Sequence, residues 1–240
     1  MKNKFAAAFI FIFLLTYSSS VNAASFMGFR DPVDNTNYLG FVHPFLLDHG
    51  MPDSPGSANL RVNGIFTTLN GRADYGYGAH LEAGLIDRLG LNIKNNYFQQ
   101  DGTEISLQYA FFRSHDKIEG ISINLGERFP GATGEAGTMT TFGLSAVKMV
   151  LGQPLHLNLH VDAQSHNISF GAAQIFKYNE KMSFIIEYSS FSASTLSASL
   201  LEAVKFQVSP KLNIGFAFES PTVANRSFDY RTMLQVEAIL

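Results

Sequence analysis

The side chains best suited to chemistry in this sequence lie close together in its second half. His156, His160 and Asp162 alternate with apolar residues, so they share one face of a β-strand. At ~3.3 Å per residue, His156 and His160 would stand ~13 Å apart, which is too far to share a metal ion. His160 and Asp162, at ~7 Å, could share one, but the sequence indicates no third ligand. We therefore interpret them as polar residues lining a lumen, and predict no metal site and no cofactor.

Ser165 and His166 are adjacent, which suggests comparison with barrel enzymes that cleave lipid acyl chains with a Ser-His pair. A nucleophile needs its base within hydrogen-bond reach, whereas neighbouring strand residues point to opposite faces. We predict that the chain is not an enzyme. A lipid acyl hydrolase stays open as the alternative.

These residues must be positioned by a chain that is first exported. Lys2 and Lys4 precede the apolar run AAAFIFIFLL, and VNA follows at residues 21–23, which is the pattern of a signal peptide cleaved after Ala23. The run is well short of the ~20 residues of a spanning helix. The chain has no cysteine, which excludes an acylated lipoprotein anchor and thiolate metal sites. A net charge of −3 gives no indication of nucleic-acid binding.

Eleven breaks rich in glycine, proline or charge divide residues 58–240 into twelve segments of period two, which predicts β-strands. The breaks are 70–74, 86–90, 99–102, 114–117, 129–137, 152–154, 163–167, 178–181, 190–194, 209–211 and 220–227. Strands of ~10 residues in an even number are typical of bacterial outer-membrane barrels. We predict an all-β, antiparallel transmembrane β-barrel of about twelve strands, since so wide a soluble barrel would leave an unfilled interior. A flattened soluble sandwich is the other architecture left open.

The segment before the first strand, residues 24–57, lacks this alternation and carries four of the eight prolines. It could be a plug, a periplasmic extension or an extra strand. The registers near residues 167–177 and 195–207 are not predicted, because the alternation there is poor, with Leu200, Val204 and Phe206 beside Glu202.

The strands have one apolar face, as in Leu212, Ile214, Phe216 and Phe218, which in a membrane barrel contacts lipid. The opposite face carries the residues that we predict to line the lumen: His80, Glu82, Asn92, Lys94, Glu104, Gln108, Asn124, Arg128, His156, His160, Asp162, Glu187, Asp229, Arg231 and Glu237.

Acidic residues outnumber basic ones on this predicted inner face. Counting Glu202 and Glu219 as well, the acids are Glu82, Glu104, Asp162, Glu187, Glu202, Glu219, Asp229 and Glu237, against Lys94, Arg128 and Arg231. A lumen of net negative charge concentrates cations. We predict mild cation selectivity, unless a plug fills the pore and the charges only pair with one another.

GLIDRLGLNI, residues 84–93, resembles the strand, tight turn and strand of outer-membrane transporters of Gram-negative bacteria, including those of the phenol meta-degradation pathway. Residues 209–221 and the final strand FDYRTMLQVEAIL are similar to the last hairpin and closing strand of those proteins. The resemblance implies an outer-membrane barrel of the transporter type, and carries no catalytic residue.

Together these patterns predict a porin-like outer-membrane channel for a small solute, exported through a cleavable signal peptide. A structural barrel without transport remains a second alternative. The expected partners are outer-membrane lipid, the barrel assembly machinery and an unidentified small solute, without nucleic acid.

Overall fold

The computed structural model describes residues 43–49, 51–53, 55–96, 102–113, 119–129, 137–192, 196–222 and 228–240. The predicted signal peptide, residues 1–23, lies outside the described residues, as do residues 24–42 of the predicted N-terminal segment. Within the described ranges, no helix has the length and apolar character needed to cross a membrane. The described strands are β1 (Ala58–Leu69), β2 (Arg72–Ile86), β3 (Leu89–Asn96), β4 (Gly102–Arg113), β5 (Gly120–Phe129), β6 (Met139–Val150), β7 (Gln153–Asp162), β8 (Ile168–Asn179), β9 (Met182–Ser192), β10 (Leu196–Ser209), β11 (Leu212–Pro221) and β12 (Tyr230–Ile239).

These twelve strands close into one antiparallel barrel. Each pairs with its sequence neighbours, and β1 pairs with β12 from Asn59 opposite Ile239 to Thr68 opposite Tyr230. Closure gives each described strand a partner on both sides, which removes the exposed edge strands of an open sheet. The predicted all-β, twelve-stranded antiparallel barrel is confirmed.

The turns follow from local residue chemistry. Each of the eleven predicted breaks lies at the junction of two consecutive strands. Asn70 and Gly71 have φ values of 52° and 73°, the two positive angles that a type I′ hairpin turn requires. Leu151 and Gly152 repeat this arrangement between β6 and β7, with φ values of 51° and 75°.

The two faces of the strands differ in the sense that the alternation predicts. On β11, Phe216 and Phe218 are exposed on the outer surface, whereas Asn213 and Glu219 are buried. On β12, Leu234 and Val236 are exposed, and Gln235 is fully buried. The barrel is therefore apolar outside and largely polar inside, the reverse of a soluble β-barrel.

Candidate functional site: the barrel interior

Before β1, residues 55–57 lie at one end of the barrel, and residues 43–49 and 51–53 lie inside it. Gly56 donates its backbone N–H to Gly84 O and Gly84 donates to Ser57 O, both at 2.9 Å. These bonds place the chain at the barrel end where β2 turns into β3. Residues 43–49 and 51–53 then contact inward-facing side chains around the barrel. We call residues 43–49 and 51–53 the inner segment.

Glycines on the inner face of four strands leave room for this segment. A Cβ added at Gly215 would lie 2.7 Å from the Phe45 ring, and one at Gly171 would lie 2.5 Å from the Leu47 side chain. Two further glycines face the segment in the same way, Gly90 opposite Pro52 and Gly120 opposite Met51. The wall is thus shaped to four side chains of the inner segment.

One side of the interior is apolar and packs on Phe45, whose side chain is 1 % exposed. The cluster consists of Phe45, Ile65, Ile175, Ile185, Leu201, Ala203, Ala217 and Met233, with Leu46 against it. These inward apolar residues explain why β8 and β10 show no clear alternation in the sequence. Both of their faces are apolar, one toward the exterior and one toward the inner segment.

Strand side chains also bind the backbone of the inner segment. Glu187 accepts hydrogen bonds from the consecutive N–H groups of Phe45 and Leu46, the second at 3.0 Å. Gln235 Nε2 donates to Phe45 O at 2.7 Å. Backbone carbonyls of the segment accept further bonds, among them those from Arg61 Nη1 to Pro44 at 2.9 Å, Gln108 Nε2 to His49 at 2.9 Å and Asn158 Nδ2 to Asp48 at 3.2 Å. Side chains from strands around the barrel therefore satisfy the irregular backbone, as a buried loop requires.

Ion pairs connect the segment to the wall and the wall strands to one another. Asp48 pairs with Lys94 and lies 3.2 Å from His160 Nε2. Two pairs are buried in the wall itself, Arg61 with Glu82 at 2.8 Å and Lys205 with Glu237 at 2.8 Å. At the end with the longer loops, Arg128 lies 2.9 Å from Glu104 and 3.5 Å from Asp162, and Arg231 lies 3.4 Å from Glu219.

All fifteen residues that the sequence places on the inner face are at least half-buried. Ten are buried: His80, Glu82, Asn92, Glu104, Gln108, Asn124, His156, Asp162, Glu187 and Glu237. Five are half-buried: Lys94, Arg128, His160, Asp229 and Arg231. Asp229 lies at the loop end, where its carboxylate accepts the Asn70 N–H at 2.7 Å.

The structure corrects the predicted face of β10. Glu202 was expected on the inner face, but it is exposed and pairs in register with the outward Phe218. Its strand neighbour Lys205 is buried inside instead. The sequence interpretation also missed Arg61, which the alternation of Asn59, Arg61 and Asn63 could have revealed. It offered residues 24–57 as a possible plug but named no functional residue there, although His43, Asp48, His49 and Asp53 form a dense group of potential ligands.

Ser165 and His166 bond other residues in this structure. The Ser165 hydroxyl donates to Asp162 Oδ2 at 3.3 Å, and His166 Nδ1 lies 3.3 Å from Gln164 O. Both residues are exposed in the turn between β7 and β8. Their geometry gives no support to a nucleophile and base pair.

Two groups of side chains inside the barrel have the composition of a metal site. Asp48, His80 and Glu82 form one, and His43, His49 and Asp53 form the other. Lys94 and Arg61 already pair with the first group. The second group has no lysine or arginine within ion-pair distance among the described residues.

The electrostatics of the second group come from its burial and its own carboxylate. Burial opposes protonation of His43, but the adjacent Asp53 and Glu237 carboxylates raise its pKa to about 9. Burial, reinforced by the nearby His43, lowers the pKa of His49 to about 3. Adjacent histidines in one pocket therefore differ in their affinity for a proton.

Solved structures share this architecture. An outer-membrane channel of Pseudomonas putida F1 aligns with a TM-score of 0.56 and 10% identity, over 81% of this chain and 100% of that one. The NanC porin aligns with a TM-score of 0.56 and 9% identity, and the KdgM porin with 0.53 and 8%, each over 75% of this chain and 98% of its own length. The sequence matches no protein-family model and no curated protein. At these identities the likeness is one of fold, that of outer-membrane channel barrels.

Proposed function

We propose that this chain is an outer-membrane channel for small solutes, with a lumen narrowed by the inner segment and a mild preference for cations. The observation that carries the proposal is the inverted pattern of the closed barrel, apolar outside and charged inside. An apolar outer face suits hydrocarbon, and a closed sheet satisfies its backbone there. The shared fold with solved outer-membrane channels supports the same interpretation.

The charges inside favour cations. Eight carboxylates are buried, namely Asp48, Asp53, Glu82, Glu104, Asp162, Glu187, Glu219 and Glu237. Five lysine and arginine side chains pair with them: Arg61, Lys94, Arg128, Lys205 and Arg231. His43, whose raised pKa keeps it protonated at neutral pH, pairs with Asp53 and Glu237, so eight carboxylates face six cations. On β10, Glu202 lies outside and Lys205 inside. Carboxylates still outnumber the basic side chains of the interior, because Asp48 and Asp53 of the inner segment add to them.

The solute is a finer question. The KdgM porin has also been solved in complex with oligogalacturonate, a polyanion that the excess of carboxylates here would repel. A neutral or cationic small solute fits this interior better. The resemblance of residues 84–93 to transporters of the phenol meta-degradation pathway stays a prediction about the family and names no solute.

A structural barrel without transport is the second candidate, and the packing of Phe45 favours it. If Phe45 and the charge pairs fill the whole cross-section, the inner segment seals the barrel. Conductance separates the two candidates, since a sealed barrel carries no current.

The test is the reversal potential of the full mature chain in planar bilayers across a salt gradient. A channel of this kind should show cation preference that weakens at high salt as screening increases. Glu104→Gln should reduce the preference, because Glu104 is buried inside, whereas the matched control Glu127→Gln should not, because Glu127 is exposed on the outer face of β5. Anion preference, or an equal effect of both changes, would contradict the proposed lumen.

A further inference from the structure

We propose that His43, His49 and Asp53 bind a divalent transition-metal ion of the zinc type inside the barrel. One ligand atom from each residue lies within 4.8 Å of the other two. All three residues belong to the inner segment. The site goes beyond the proposed channel and does not depend on it.

The hydrogen bonds fix which nitrogen of each histidine faces the site. His43 Nδ1 lies 3.1 Å from Glu237 Oε1, and His49 Nδ1 lies 2.8 Å from Met51 O. Carboxylate and carbonyl oxygens only accept, so each Nδ1 carries the proton. Nε2 is therefore the nitrogen of each ring that remains for an ion, which at His43 would replace the proton held there by the raised pKa. The bond from His43 to Glu237 is the carboxylate support usual for histidine ligands of zinc.

Three buried atoms of this group are candidate ligands. His43 Nε2 and Asp53 Oδ1 lie 3.3 Å apart and form an ion pair when His43 is protonated, whereas the buried His49 Nε2 makes no hydrogen bond among the described residues. Buried polar atoms in native proteins are nearly always satisfied. A cation bound between the two imidazole nitrogens and the carboxylate oxygen would give His49 Nε2 a partner and would replace the proton between the other two atoms.

The spacing also suits a small ion. His43 Nε2 and Asp53 Oδ1 lie 3.3 Å apart, and adjacent ligands on tetrahedral zinc, with bonds of ~2.0–2.2 Å, stand about 3.3–3.5 Å apart. Two nitrogens and one oxygen form the ligand type that zinc accepts, with a fourth position for water or another donor.

The charge of the surroundings points the same way. Asp53 faces His43 and no lysine or arginine at ion-pair distance among the described residues, whereas Asp48, Glu82 and Glu237 each have one. A divalent ion would give Asp53 a permanent cationic partner in addition to the titratable His43. It would also link His43 to His49 and Asp53. This link would hold Phe45 against Gly215 and Met51 against Gly120 of the barrel wall.

The test is metal content of the full mature chain, folded in detergent, stripped with a chelator and then dialysed against Zn²⁺. We expect one tightly held zinc per chain by mass spectrometry, and with Co²⁺ the intense visible bands of a four-coordinate site. His49→Asn keeps a donor for Met51 O but removes Nε2, and Asp53→Asn removes the charge at nearly constant shape. Each should lower the affinity at least 10-fold, by analogy with the loss of a first ligand or its support.

Controls separate this site from other histidines. His166→Asn, in the exposed turn after β7, should bind zinc like the unchanged chain. Absence of zinc from the unchanged, folded chain would overturn the proposal, as would zinc retained equally by both ligand variants. Loss of zinc in His80→Asn alone would assign the ion to the group of Asp48, His80 and Glu82. That result would also overturn the proposal. Conductance is measured separately, so a negative result for the metal site does not affect the test of the channel proposal.

Discussion

Among the side chains inside the barrel, we expect loss of the Glu237 carboxylate to lower the free energy of unfolding most. Its Oε1 accepts from Asn59 Nδ2 at 2.7 Å and His43 Nδ1 at 3.1 Å, and its Oε2 accepts from Lys205 Nζ at 2.8 Å and Asn213 Nδ2 at 3.1 Å. In Glu237→Gln an amide NH₂ replaces one oxygen. Two of the four donors then lose their acceptor.

The magnitude follows from burial. Lys205 is 1 % exposed, so Glu237→Gln leaves a buried ammonium without its counter-charge. Breaking one side of a buried ion pair costs about 3–5 kcal/mol. We expect the free energy of unfolding in detergent, measured by denaturant titration, to fall by about that amount. The heat-modified gel shift should occur at a correspondingly lower temperature.

Two comparisons make this prediction refutable. Glu202→Gln removes a carboxylate from the exposed outer face of β10 and should change stability by less than about 0.5 kcal/mol. Glu237→Gln combined with Lys205→Met removes both charges and should recover part of the loss. If Glu237→Gln is as stable as Glu202→Gln, the interior network described above is wrong.

Two further predictions concern the inner segment and the enzyme alternative. Because the chain has no cysteine and a Cβ at Gly90 would lie 3.0 Å from Pro52 Cβ, Pro52→Cys with Gly90→Cys should form a disulfide on oxidation, seen by mass spectrometry. Pro52→Cys with Leu91→Cys should form no disulfide, because Leu91 is the outward-facing neighbour of Gly90. A disulfide in the Leu91 pair and none in the Gly90 pair would show that the inner segment does not lie inside the barrel. Ser165→Ala and His166→Ala should each leave the conductance unchanged. If the unchanged chain hydrolyses phospholipid and both variants lose that activity, the acyl hydrolase becomes a candidate again.

The strands and their faces could be predicted from the sequence because both depend on local patterns. Turn residues such as Asn70 and Gly71 set the hairpins, and alternation sets which side chains turn inward. The predicted inner residues accordingly lie inside, from His80 on β2 to Glu237 on β12.

The position of the inner segment could not be predicted in this way. Residues 43–53 have no periodicity, and their partners, such as Glu187 and Gln235, lie far along the chain. The same packing explains the error at β10. Leu201 and Ala203 face Phe45 inside the barrel, so both faces of that strand look apolar, and a shift by one residue reverses every assignment.

The central claim is that ions cross the membrane through the interior of this barrel. Ser169 shares the inner face of β8 and pairs in register with His160, whereas Ile168 is exposed outside. A charged, water-soluble thiol reagent added to a conducting bilayer should therefore reduce the current through Ser169→Cys and leave that through Ile168→Cys unchanged. A block of Ile168→Cys alone, or the absence of current from the folded, unchanged chain, would contradict the claim.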